Sequence, residues 1–69
     1  MLTPDAPFHG YTADELRREA EREANKRVTV YQNRVLTGRM TPAEAKMRIR
    51  KMRAIAVHFA ELAEKERLL

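Results

Sequence analysis

The strongest constraint on this chain is a helix-start signal written twice, Thr12-Ala13-Asp14-Glu15 and Thr41-Pro42-Ala43-Glu44, with Gly38 just ahead of the second copy. In each copy the Thr hydroxyl is placed to accept a backbone N–H of the first turn. The Glu three residues on is placed to reach back to the Thr N–H, which completes a capping box. Pro42 falls at the first helical position, where its missing N–H costs nothing and its restricted φ suits the helix. Gly38 is the expected left-handed stop of the preceding helix. The fold expected is all-α: an antiparallel two-helix hairpin with helices at about 13–37 and 42–67, joined by a tight turn at Gly38–Met40. Residues 12–69 form the hairpin domain, and residues 1–11, broken by Pro4, Pro7 and Gly10, form an irregular arm.

Size sets the next condition. Below roughly 70–80 residues a single core rarely supplies more than 3–5 kcal/mol, and this chain has 69 residues and no cysteine. Disulfides and thiolate zinc sites are excluded, and two histidines far apart do not make a metal cage. Association is the remaining staple. Met1–Tyr11 has neither a basic segment nor a long apolar run. The uncharged stretch Ala54–Ala60 is far too short to span a bilayer. A soluble, cytoplasmic chain without membrane contact is expected.

At 100° per residue, Leu16, Ala20, Ala24, Val28, Tyr31 and Val35 share one narrow face of the first helix, and Val30 and Leu36 point off it, hinting at a second contact. Tyr11 and Leu16 have the spacing of a hydrophobic staple, so the arm is expected to fold onto the first turn, with Phe8 packing there too or, as the alternative, swinging free to hold a partner. The second helix is apolar over a wider arc through Ala45, Ile49, Met52, Ile55, Ala56, Phe59, Leu62 and Ala63, and Ile55, Leu62 and Leu69 recur every seven residues. A narrow alanine-rich stripe cannot cover so broad a face. Either the excess surface is a docking site or, as expected here, two hairpins pair into a dimeric four-helix bundle, with Met52, Ile55, Phe59 and Leu62 between the chains.

Charge is sorted along the hairpin. The turn end gathers Lys26, Arg27, Arg34, Arg39, Lys46, Arg48, Arg50, Lys51 and Arg53 against Glu44 alone, leaving +8 there and −4 elsewhere within a net +4. In the second helix the cations come early and Glu61, Glu64 and Glu66 late, against the preference of the helix dipole. A preference broken so consistently points to an outside constraint: an acidic partner, or an antiparallel neighbour whose acidic end covers the basic one. Lys46, Arg50 and Arg53 follow i, i+4, i+7 spacing and form a solvent-facing stripe opposite Met52 and Phe59. Arg39, Lys46, Arg50 and Arg53 are the expected partner contacts, followed by Arg34 and Lys51.

Nucleic acid is the alternative partner, since clustered Lys and Arg neutralise phosphates without regard to sequence. The turn lacks the signals of a helix-turn-helix reader, aromatics for stacking are few, and the acidic end opposes a long duplex. His58 and Glu61 supply only two ligands, and His9 lies far from any ligand cluster. Met52 is expected in the core, with Met40 and Met47 near the turn. Serine and cysteine are both absent, and no Thr has a paired base, so no nucleophile constellation is written here. No catalytic residue, cofactor, metal or small-molecule ligand is expected.

The segment from Val30-Tyr31 through Gly38-Arg39-Met40-Thr41 to Glu44-Ala45, followed by Ile49, Met52 and Ile55, resembles small helical proteins of bacteriophages and prophages. Their pattern is VY-x-x-x-V-x-x-G-[RK]-[ML]-[ST]-x-x-E-A-x-x-x-I-x-x-M-x-x-I, and it covers about half the chain. Gln32 stands where that pattern usually has Pro, which leaves the first helix uninterrupted. The Gly-x-Met-Thr-x-x-Glu core also resembles the turn of short two-helix domains in bacterial proteins. The phage resemblance implies a small accessory protein that acts by binding an acidic protein or nucleoprotein, with anti-defence inhibitors of the anti-CRISPR type as an alternative class.

Overall fold

The structure is a computed structural model and describes residues 8–68. Residues 1–7 of the expected arm, and Leu69 of the seven-residue seam, lie outside it. Two helices account for nearly all of the rest: α1, Ala13–Leu36, and α2, Pro42–Leu68. They pack against each other as an antiparallel hairpin. Its principal-axis extents are 47 × 26 × 12 Å. The last figure is about one helix diameter, so the hairpin is a slab one helix thick with two broad faces.

The expected punctuation is present, with one exception. Thr12 is extended (φ −83°, ψ 161°), and its Oγ1 accepts the N–H of Glu15 at 3.1 Å. Thr41 Oγ1 accepts the N–H of Glu44 at the same distance. The reciprocal half of each capping box is not made. The Glu44 carboxylate turns forward to Arg48 at 3.0 Å instead, an ion pair one turn along the same helix. At the other end of α1, the N–H of Gly38 donates to the Val35 carbonyl at 3.1 Å and that of Arg39 to the Arg34 carbonyl at 2.8 Å. Gly38 sits at φ +74°. These two bonds are a Schellman stop, and Thr37 is the C-cap, one residue inside the expected end.

The contact seam is built mostly of small side chains. Ala13, Ala20, Ala24 and Tyr31 of α1 meet Ala45 and Ala56 of α2, all of them buried. At the turn end Met40 folds in beside Tyr31 and Ala45, with Val35 and Ile49 packed against this cluster. Met52, Phe59 and Leu62 are half-buried and Ile55 is 46% exposed. Among the described residues no large side chain is fully buried. The alanines allow close helix approach but bury little area, so the slab keeps apolar surface on both faces.

The last residues of the arm depart from expectation. Phe8 to Tyr11 form a tight turn in which the Tyr11 N–H donates to the Phe8 carbonyl at 3.0 Å. His9 (φ +54°) and Gly10 (φ +90°) supply the two positive φ values of a type I′ turn. That reversal leaves Tyr11 52% exposed instead of stapled. Phe8 crosses to α2 and sets its ring edge-on to Phe59, centroids 5.3 Å apart. Phe8 thus ties to the second helix rather than to the first turn of α1.

Candidate docking groove

Ion pairs divide the cations into two groups. In the first half of α1, Arg17 bridges Asp14 and Glu21 at 2.9 Å each, Arg18 also holds Asp14 at 2.9 Å, and Arg22 holds Glu19. Hydrogen bonding from Arg17, then the charges of Arg17 and Arg18, keep the Asp14 carboxyl below its ordinary value, and hydrogen bonds to Asp14 and then Glu21 push Arg17 upward. At the turn end, two guanidiniums are tied down. Arg48 pairs with Glu44, and Arg27 lies 3.8 Å from Glu23 while donating to the Tyr31 hydroxyl at 3.0 Å. That hydrogen bond, with the Arg27 charge and then Arg48, lowers the Tyr31 phenol from its ordinary value. The six expected partner contacts, Arg34, Arg39, Lys46, Arg50, Lys51 and Arg53, are all exposed. Among the described residues none of them is in a salt bridge.

Three of the six share a site. Lys46, Arg50 and Arg53 form one wall of a groove of about 680 Å³ between the helices at the turn end. Its floor and opposite wall are Val28, Tyr31, Val35, Leu36 and Ile49, with Gln32 at the edge. Successive 100° steps bring one flank of α1 and one flank of α2 to the same broad face of the slab. The expectation of a merely solvent-facing stripe is therefore refined: the basic row borders an apolar channel. Leu36, 85% exposed, is the most open large apolar side chain of that channel.

The other three expected contacts do not line this groove. Arg34 lies on a different flank, its guanidinium 5.7 Å from the Tyr31 ring centroid. Lys51 borders a separate outer depression with Ala43, Met47 and Ala54, which Lys46 and Arg50 also line from their other side, and Met47 is exposed. Arg39 belongs to the turn. Met52, Ile55, Phe59 and Leu62 fall on the flank of α2 opposite the basic row by the same 100° rule, and Phe8 already covers part of Phe59.

The groove floor was hidden in the sequence because Val28, Val35 and Ile49 have core spacing. They are half-buried, since a slab one helix thick has nothing above them. The usable signal was Leu36, which falls off the stripe. At the open end a second depression of about 670 Å³ is bordered by Asp14, Arg17, Arg18, Glu64, Glu66 and Arg67, and all of these charges but Glu66 already pair within their own helices. His58 packs its ring against Phe59 at 5.5 Å. Among the described residues no group of three or more His, Asp or Glu side chains could hold a metal ion, and no helix is long and apolar enough to cross a membrane. Compared with known proteins, the chain matches no protein family, no curated protein and no solved structure.

Proposed function

We propose that this chain is a non-catalytic helical interaction protein, an accessory protein of the phage or prophage kind, that binds an acidic partner protein or nucleoprotein in the groove between α1 and α2. The observation that carries the reading is the combination within one channel: an apolar floor of Val28, Val35, Leu36 and Ile49 beside a row of three unpaired cations. An acidic amphipathic helix satisfies both, placing its apolar stripe on the floor and its carboxylates against Lys46, Arg50 and Arg53. An anti-defence inhibitor would use such a surface in the same way. Phosphates need the cations but not the floor, so nucleic acid is the second reading, favoured by the unpaired charge at the turn end.

Capture from a nuclease-treated bacterial lysate, compared between the native chain and Lys46→Glu/Arg50→Glu, tests the proposal. A specific protein retained by the native chain and lost by a variant of unchanged helicity is the expected result. The opposing result is tight duplex binding at physiological salt, lost in the double variant, with a log–log salt slope that falls by about 0.9 per phosphate contact removed.

A further inference from the structure

We propose that a second copy of this chain docks antiparallel along the groove's basic wall, so that the acidic half of each α2 covers the basic half of the other about a two-fold axis at Val57. The argument is charge register. Arg50 and Glu64 stand seven residues on either side of Val57, and Arg53 and Glu61 stand four on either side. Ala54 and Ala60 stand three on either side. An antiparallel copy centred on Val57 therefore sets Arg50 against Glu64, Arg53 against Glu61 and Ala54 against Ala60, each pair twice, as a two-fold interface requires.

Orientation agrees with register. At 100° per residue, Arg50, Arg53, Val57, Glu61 and Glu64 fall within an arc of about 80° on one flank of α2. All five are exposed, and the apolar Val57 at their centre is 56% exposed. The alanines beside it are small enough for two helix backbones to approach. Leu68, 78% exposed, stands as far beyond Val57 as Lys46 stands before it. In the paired copy Leu68 therefore comes over the aliphatic stem of Lys46 at the mouth of the groove. Glu61 is in no salt bridge among the described residues, and Glu64 holds Arg67, but a carboxylate has lone pairs for a second guanidinium.

The pairing also accounts for the sorted charge inside α2. Its first turn (Glu44) and last turn (Lys65, Arg67) suit the helix's own dipole, whereas the cations Arg50 and Arg53 and the carboxylates Glu61 and Glu64 further in complement an antiparallel neighbour. Self-association is thus assigned to the charged flank about Val57, not to the flank of Met52, Ile55, Phe59 and Leu62. The same acidic segment of the second copy occupies the wall that an acidic partner would use, so partner binding and dimerisation exclude each other.

Sedimentation equilibrium from micromolar to millimolar concentration reads the association directly. A dimer that weakens with added salt is expected. Arg50→Glu and Glu64→Arg should each weaken it about tenfold or more, because like charges then face each other, while the double variant restores it. Since the chain has no cysteine, Val57→Cys gives a single thiol on the axis and should oxidise readily to a covalent dimer, whereas Ile55→Cys should not. A monomer throughout the range, a double variant without rescue, or cross-linking through residue 55 and not 57 would each overturn the inference. Glu64→Arg leaves the groove untouched. Undiminished partner capture by that variant alongside a monomeric native chain would sink the dimer and keep the proposed function, and a dimer that captures no partner would do the reverse.

Discussion

The hydroxyl of Tyr31 accepts a hydrogen bond from Nη1 of Arg27 at 3.0 Å, one turn earlier on α1, within a ring environment that is otherwise buried. Arg27, and Arg48 from α2, favour the phenolate over the phenol. Tyr31 should therefore ionise below the ordinary tyrosine value of 10.0, read by near-ultraviolet titration of a Tyr11→Phe variant, and Arg27→Gln should move it back up. The sign for stability follows from the lowered value: the contribution is complete above the ordinary value and lost as pH falls through the folded one. Tyr31→Phe should abolish the alkaline gain, and a phenol titrating at or above its ordinary value would contradict the geometry.

Gly38 offers a test of the turn that is free of packing. A Cβ there would meet nothing within 4 Å, so only the left-handed backbone (φ +74°) resists a side chain. Gly38→Ala should cost about 1–2 kcal/mol, a fall of several degrees in the melting midpoint for a domain of this size. Gly38→Asn should cost less, because Asn tolerates this region better. Equal losses for Asn and Ala would mean that the turn rearranges.

The features legible in the sequence were those decided by a few adjacent residues. Thr12, Thr41, Pro42 and Gly38 mark the helix ends because capping is a local competition for backbone N–H and C=O groups. The buried face of α1 followed from periodicity alone. The reciprocal capping bonds did not, because Glu44 can choose between the Thr41 N–H and Arg48, and the ion pair one turn on wins. The position of Phe8 was not legible for a similar reason: two positive φ values at His9 and Gly10 reverse the chain, and Phe8 meets α2. The site was half legible. Spacing gave the row Lys46, Arg50 and Arg53, but its apolar neighbours come from the other helix, and only the packing of the two helices reveals the channel.

Phe8 and Phe59 should be energetically coupled. Their edge-to-face rings lie 5.3 Å apart, a geometry worth about 0.5–1.5 kcal/mol beyond area burial. A double-mutant cycle with Phe8→Ala and Phe59→Ala, followed by denaturant unfolding, should return a coupling of that size. Phe59→Ala alone should cost less than the roughly 3–5 kcal/mol typical of a fully buried ring, because Phe59 is only half-buried. Strict additivity would mean that the arm does not hold this position in solution.

Acid should weaken the start of α1 through Asp14. Arg17 first, and then Arg18, hold its carboxyl below the ordinary 3.8, with desolvation opposing them. A lowered carboxyl value contributes stability above the unfolded value and loses it as pH falls through the folded one. The melting midpoint should therefore drop as pH falls below the ordinary carboxyl value and through the lower folded one. Asp14→Asn should start lower at neutral pH and show a shallower decline. An unchanged acid limb in that variant would assign the loss to other carboxylates.

Leu36 separates a protein-docking groove from a patch of charge. It is 85% exposed at the groove wall, so Leu36→Ser removes almost no buried area and should change folding stability by no more than about 0.5 kcal/mol. A partner helix that seats its apolar stripe on the floor loses contact there, and capture of an acidic partner should fall with helicity and oligomeric state unchanged. Duplex DNA affinity and its salt slope should be the same in the variant and the native chain, because phosphate contacts run through Lys and Arg alone. Lys46→Glu gives the complementary reading, since it should weaken both kinds of binding. If Leu36→Ser leaves every interaction intact while Lys46→Glu abolishes it, the channel is a charged rim without a functional floor, and the nucleic-acid reading replaces the protein one.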